Sequence, residues 1–189
     1  MSLLAIIPGH GDDELCVGQI YILSILNTNE VLTAVDYQDL KLRRFDNSRN
    51  QMWRLDPHVE NRQTFANVET GHSLGVNRTH GYFCCKWDSY GPGEQFTFIP
   101  QKTGGYRVYN HQGTRPALVT RQGDEDFLRT TTLGNAFVTI GVHCADELIP
   151  GLYPLTPDLF DNYVHDTKLK IHKRCSQELT NMKPFFKHP

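Results

Sequence analysis

At 189 residues the chain is long enough for one domain with an extension, and its 39% hydrophobic and 21% charged content is that of an ordinary globular protein. A formal net charge of −2 and a pI near 6.5 leave no general attraction to nucleic acid or to an anionic membrane. No apolar run approaches the ~18 residues of a membrane span, and Met1 to Pro8 lacks the basic residue and apolar length of a secretory signal.

In chain order, an acidic segment His10-Gly11-Asp12-Asp13-Glu14 comes first. The β-branched and aromatic run Ile20-Tyr21-Ile22-Leu23-Ser24-Ile25 then predicts a strand. Asn27-Thr28-Asn29 supplies turn residues before a second strand over Val31-Leu32-Thr33-Ala34-Val35. Leu40-Lys41-Leu42 reads as a third strand, and Gln51-Met52-Trp53-Arg54-Leu55-Asp56-Pro57 closes the set. The order then repeats. Thr64 to Val68, a turn at Thr70-Gly71-His72, Ser73 to Val76, Tyr82-Phe83-Cys84 and Glu94-Gln95-Phe96-Thr97-Phe98-Ile99-Pro100 make a second set. A third runs from Tyr106 to Tyr109, turns through Asn110 to Gly113, resumes at Ala117-Leu118-Val119 and ends in Asn135-Ala136-Phe137-Val138-Thr139-Ile140.

Two markers keep this period. Trp53, Phe96 and Phe137 lie 43 and 41 residues apart, and Leu32, Leu74 and Leu118 lie 42 and 44 apart. A period of this length means supersecondary units that bury their apolar faces only against one another. Four short strands in each of three units predict an all-β protein of twelve strands, an antiparallel barrel closed by hairpins. Trp53, Phe96 and Phe137 are then expected to converge on one core, because a buried aromatic removes ~150–250 Å² from water.

Three such units, one ending in Asn50-Gln51-Met52-Trp53, resemble the β-trefoil and within it the ricin B-type lectins, with degenerate Gln-x-Trp repeats. The resemblance spans roughly residues 18 to 145. It implies a domain over 18–149, preceded by an N-terminal segment, 1–17, and followed by a linker and helical tail, 150–189. Lectins of this family hold a sugar with a carboxylate after the second strand, an aromatic platform after the third, and an amide before the tryptophan. Vicinal hydroxyls both donate and accept, so a carboxylate and an amide can grip them as a fork. Carried over by position, the first unit offers Asp36 with Asn50 and Gln51, and has Arg43 where the platform belongs. The second offers Asn77 with Glu94 or Gln95, has Cys85 near the platform position, and has Trp87 and Tyr90 as substitutes. The third offers Thr120 and Asn135 without an aligned carboxylate. The resemblance therefore implies a carbohydrate-binding module that takes glycans or glycoproteins, with Asp36, Asn50, Gln51, Asn77 and Trp87 as its contacts and no cofactor. Fungal cysteine-protease inhibitors share the fold, and a protein-binding trefoil is the alternative. Its polar loops, Asp88 to Gly93 and Gln122 to Asp126, would meet the partner.

The tail has a different character. Thr156-Pro157-Asp158 is a helix start, and Phe160, Val164, Ile171, Cys175, Leu179 and Met182 recur near helical spacing. Six Lys or Arg stand against one acid, Glu178, between Thr167 and Pro189, so this segment offers a basic face for a protein partner or for self-association. Cys16, Cys84, Cys85, Cys144 and Cys175 form an odd, sparse set without metal-ligand spacing, which fits a reduced, cytoplasmic setting. An enzyme is not expected.

One segment points elsewhere. Leu3 to Glu14 resembles the His-x-Asp-Asp-Glu motif of zinc-dependent N-acetylglucosamine deacetylases, where His10 and Asp13 would ligate the metal and Asp12 would act as base. The proline usual after the first histidine and a later His-rich segment are missing, and short antiparallel strands replace the alternating strands and helices such an enzyme needs. The expected outcome is that metal analysis of purified protein finds no stoichiometric zinc and that a chelator leaves its stability unchanged. About one zinc per chain, lost on His10→Ala, would reverse this reading.

Overall fold

A computed structural model of the chain describes residues 7, 11–35, 39–57, 62–87, 91–113, 116–123, 125–132 and 137–145, with Lys86 and Trp87 described in their backbone only. The tail over 150–189, with its helical pattern, lies outside the described residues.

The first unit holds β1 (Ile20–Ile25), β2 (Glu30–Ala34), β3 (Leu40–Arg44) and β4 (Met52–Asp56). The second holds β5 (Thr64–Asn67), β6 (Ser73–Val76), β7 (Phe83–Trp87) and β8 (Phe96–Pro100), and the third β9 (Tyr106–Asn110), β10 (Ala117–Thr120), β11 (Arg129–Thr131) and β12 (Thr139–Cys144). All pairings between these strands are antiparallel. The first and fourth strands of the units form a barrel in the order β1-β4-β5-β8-β9-β12. The β5–β8 step is carried by Gln63 and Phe96, which exchange both backbone bonds at 2.8 and 2.9 Å. Pairing of β12 with β1, from Tyr21–Cys144 to Ile25–Ile140, closes the ring. The second and third strands of each unit, β2–β3, β6–β7 and β10–β11, form three hairpins. A barrel of six strands and a triplet of hairpins in three pseudo-equivalent units is a β-trefoil.

Alternation along the strands explains the core. On β1, Tyr21 and Leu23 point inward and Ile20 and Ile22 outward. The inward set joins Leu32, Leu40, Trp53, Phe65, Leu74, Phe83, Phe96, Val119, Leu128 and Ile140 in one cluster. The outward set is covered as well, since Ile20, Ile22, Val31, Phe45 and Met52 form a second, smaller cluster.

Trp53 and Phe96 are fully buried in the main cluster, as expected. Phe137 is not. It is half-buried outside the strands, with the Arg107 guanidinium 4.1 Å above its ring. Pairing identifies the true third anchor: Trp53 faces Asn67 across β4–β5, Phe96 faces Asn110 across β8–β9, and Ile140 faces Ile25 across β12–β1. The position selects a large apolar group and not an aromatic ring, so the anchor is Ile140, three residues beyond Phe137. A similar slip affects the leucine marker. Leu32 and Leu74 point into the core, whereas Leu118 is half-buried and its neighbour Val119 takes the inward place. A displacement of one residue along a strand turns a side chain to the other face.

The acidic segment is tied to the barrel. Gly11 accepts from the Val142 amide at 2.7 Å and Asp13 donates to the Val142 carbonyl at 3.2 Å, so residues 11–13 run parallel to β12. Gly11 has a φ of 69°, and a Cβ there would stand 2.8 Å from the Cα of Gly141, so the approach requires glycine. Tyr106 closes the same end by donating its hydroxyl to the Asp13 carbonyl at 3.0 Å. Burial raises the Tyr106 pKa, and the carboxylates of Asp12, Asp13 and Glu14 raise it further.

Three truncations separate the true anchors from the apparent one. Trp53→Ala and Ile140→Ala should each cost roughly 2–5 kcal/mol in urea unfolding, with the tryptophan at the upper end. Phe137→Ala should cost about 1 kcal/mol or less, because it leaves no cavity in the core.

Candidate carbohydrate-binding site

The first unit assembles its site residues on a short 3-10 turn, Arg49–Gln51, which leads into β4. Gln51 is fully buried. Its amide nitrogen, Nε2, donates to the Arg44 carbonyl at 2.9 Å and to the Thr33 hydroxyl at 3.3 Å, while Oε1 accepts from the Asp46 amide at 2.9 Å. Those bonds bind the β2–β3 hairpin and its following loop to the barrel, and they use the whole amide for framework. Two residues on, the Trp53 indole donates to the Leu32 carbonyl at 3.0 Å. Gln51 and Trp53 therefore fasten the same hairpin from either side of Met52.

Asn50 stands differently. It is half-buried, and its Oδ1 lies 2.5 Å from the Ser48 hydroxyl, which also contacts Asp46. The Asn50 carbonyl accepts from Asn67 Nδ2 at 2.9 Å, and the same group donates to the Met52 carbonyl at 3.2 Å. Asn110 repeats this clamp in the next unit, donating to Gly93 at 2.8 Å and to Gln95 at 3.2 Å. Asn67 and Asn110 are a repeated device that sequence reading missed, although their 43-residue spacing was there to be seen. They identify Gly93 as the counterpart of Asn50, and Glu94, also buried, as the counterpart of Gln51. The second unit thus has no side chain where the first presents Asn50.

The remaining residues are not brought together with these. Asp36 and Tyr90 lie outside the described residues, and so does the side chain of Trp87, whose backbone pairs with Ser73. Asn77 is half-buried at the β6–β7 turn, where its Oδ1 accepts the Thr79 amide at 2.9 Å. Its backbone pairs with Tyr82 as Val35 pairs with Asp39, so it stands at the place of Val35, one residue short of Asp36. Gln95 accepts from Arg62 at 2.6 Å. Arg43 is exposed at the platform position, and Cys85 is buried at its own. Burial pushes the Cys85 thiol up to about 11, with the Thr70 hydroxyl pulling the other way, so the thiolate a nucleophile needs is suppressed.

The residues of the deacetylase-like motif are also placed in part. Asp12 is exposed beside β12, and Asp13 accepts the Cys144 amide at 2.5 Å through Oδ2. His10 lies outside the described residues. Among the described residues no group of three or more His, Cys, Asp or Glu is arranged to hold a metal ion.

No protein-family model matches the chain. No curated protein matches its sequence either. Solved structures do match. A mosquitocidal holotoxin aligns with 69% of this chain at a TM-score of 0.59 and 13% identity, over 18% of its own length. The designed three-fold symmetric protein ThreeFoil aligns with 64% at 0.53 and 13% identity, over 94% of its length. An exo-β-1,3-galactanase from Clostridium thermocellum aligns with 67% at 0.53 and 16% identity, over 30% of its length. The chain therefore spans a small part of the two larger proteins. At these identities the likeness shows the fold alone, and that fold is the β-trefoil.

The contrast between Gln51 and Asn50 can be measured. Gln51→Leu should destabilise the protein by about 1–3 kcal/mol, because it removes the bonds by which the buried amide holds the Arg44 carbonyl, the Thr33 hydroxyl and the Asp46 amide. Asn50→Ala should change urea unfolding by only about 0.5 kcal/mol, since its clamp to Asn67 is made through the backbone.

Proposed function

We propose that the chain is a carbohydrate-binding module of the ricin B-type kind, cytoplasmic and without catalytic activity of its own. The observation that carries this reading is the construction of the first unit. Gln51 and Trp53 brace the hairpin from inside, and Asn50 between the loop and β4 remains within reach of solvent. That is the arrangement a degenerate Gln-x-Trp repeat would produce. Gln51 then acts as a prop for the site, and Asn50, together with the Asp36 that the family resemblance assigns by position, would supply the polar fork for vicinal hydroxyls.

Two further points support the reading. Gly93 replaces Asn50 in the second unit, which concentrates binding in the first. One of the proteins that share the fold is a galactanase, an enzyme whose name states a polysaccharide substrate. Arg43 is not an aromatic platform, so affinity at a single first-unit pocket is set by a few hydrogen bonds. The odd, sparse cysteine set supports the reduced location.

A broad glycan array tests the proposal directly. Wild-type protein should retain a glycan with a dissociation constant on the order of millimolar, about −4 kcal/mol. Asp36→Ala and Asn50→Ala should weaken retention about tenfold or more while shifting unfolding by no more than about 0.5 kcal/mol. Trp87→Ala and Asn77→Ala probe the second unit in the same assay. A wild-type chain that binds no glycan would end this reading, and a search for a protein partner would follow.

A further inference from the structure

The three hairpins meet at one end of the barrel, and their pairing exposes a set of equivalent positions that no single unit reveals. Leu40, Phe83 and Leu128 begin the inward face of the third strand in each unit, and all three are buried in the core. The residue before each is Asp39, Tyr82 and Phe127, and the residue after each is Lys41, Cys84 and Arg129. Neighbouring hairpins join through these residues. Asp39 bridges Cys84, and Tyr82 bridges Arg129. The third junction is made by the Leu42 amide, which donates to the Asp126 carbonyl at 2.6 Å, and by Lys41, whose Nζ stands 5.4 Å from the Phe127 ring centre. Asp39, Tyr82 and Phe127 therefore surround the pseudo-three-fold axis at its solvent end.

The chemistry gathered there is specific. Tyr82 and Phe127 pack edge to face at 4.8 Å, and Tyr82 keeps 39% of its surface exposed. Arg129 lies 5.2 Å from the Tyr82 ring and 5.4 Å from the Phe127 ring, and Glu125 holds its guanidinium at 2.8 Å. Its Nε is buried and has no acceptor among the described residues. Lys41 pairs with Asp126 at 3.0 Å in a partly exposed ion pair that costs little to rearrange. Asp39 is exposed.

We infer that this axial cluster is a second glycan subsite, one per molecule, that takes an uncharged pyranose. The exposed part of the Tyr82 ring covers the C–H face of the sugar once the exposed His80, whose ring stacks on Tyr82 at 6.0 Å, swings aside, and Asp39 and Asp126 accept its hydroxyls while Lys41 donates. Both cations are already neutralised by carboxylates, so the cluster has no net pull on an anionic ligand. Unlike the first-unit pocket, which has Arg43 in place of an aromatic platform, it combines an aromatic surface with carboxylates, supplied by different units. The inference rests on the carbohydrate-binding reading of the chain but not on Asp36 or Asn50.

Side-chain and backbone NMR during titration with neutral monosaccharides and the best array glycan separates the two sites. The expected result is that signals of Tyr82, Phe127 and Lys41 shift together with saturation, and that Tyr82→Leu lowers axial affinity about tenfold. In that variant any shifts at Asn50 should persist, and Asp39→Asn should weaken the axial site without altering the unfolding curve. Shifts confined to Asn50 and its turn would overturn the axial subsite and leave the lectin reading standing. Axial shifts alone would support the subsite and move the lectin activity away from the first unit. If no resonance shifts with any glycan that the array or the panel offers, both fail. Should Tyr82→Leu fold poorly, Phe127→Leu replaces it with the same expected loss.

Discussion

The fold depends on one closure, the pairing of β12 with β1. Every other pair of neighbouring barrel strands is joined by a short loop or by a single two-strand hairpin, but β12 must return to a strand well over a hundred residues earlier. Five register pairs, Tyr21–Cys144 to Ile25–Ile140, make that return. It removes the last open edge of the barrel, which would otherwise expose unpaired backbone groups. It also sets the third core anchor, because Ile140 enters the core at the pair with Ile25. The N-terminal segment adds to the same seam by pairing Asp12 with Val142 where β9 no longer covers β12.

Around that closure, polar side chains divide into two kinds. Gln51, Asn67 and Asn110 are buried and use their amides to hold loops to strands. A buried amide that lost such partners would cost far more than its bonds contribute, so these groups are committed to the framework. Asn50 belongs to the other kind, since its backbone carries the clamp and its side chain faces the turn. The distinction limits what a sugar could touch, and it shows why a full Gln-x-Trp sequence is a statement about architecture before it is one about ligand binding.

The departure from three-fold equivalence carries as much information as the symmetry. Equivalent positions on the axis hold Asp39, Tyr82 and Phe127, and those flanking them hold Lys41, Cys84 and Arg129. Identical residues there would have produced either like-charge repulsion or an uninterrupted apolar patch. Divergence between the units instead places two rings, cations and carboxylates side by side.

The strand pattern, the forty-odd residue period and hence the β-trefoil were legible in the sequence, because period-2 alternation and turn residues act over a few positions and repeat in every unit. Trp53, Phe96, Leu32 and Leu74 were legible for the same reason. Phe137 and Leu118 were not, because loop length between strands is free to vary and only backbone pairing decides which residue reaches the core. That pairing selected Ile140 and Val119. Of the candidate site, the residue types around Gln51 could be read from the chain, but whether an amide faces a carbonyl or the solvent is settled by hydrogen bonds to Arg44 and Asp46. The axial cluster left no trace in sequence at all. Its members come from three units up to 90 residues apart, and only the meeting of three hairpins brings Asp39, Tyr82 and Arg129 to one place.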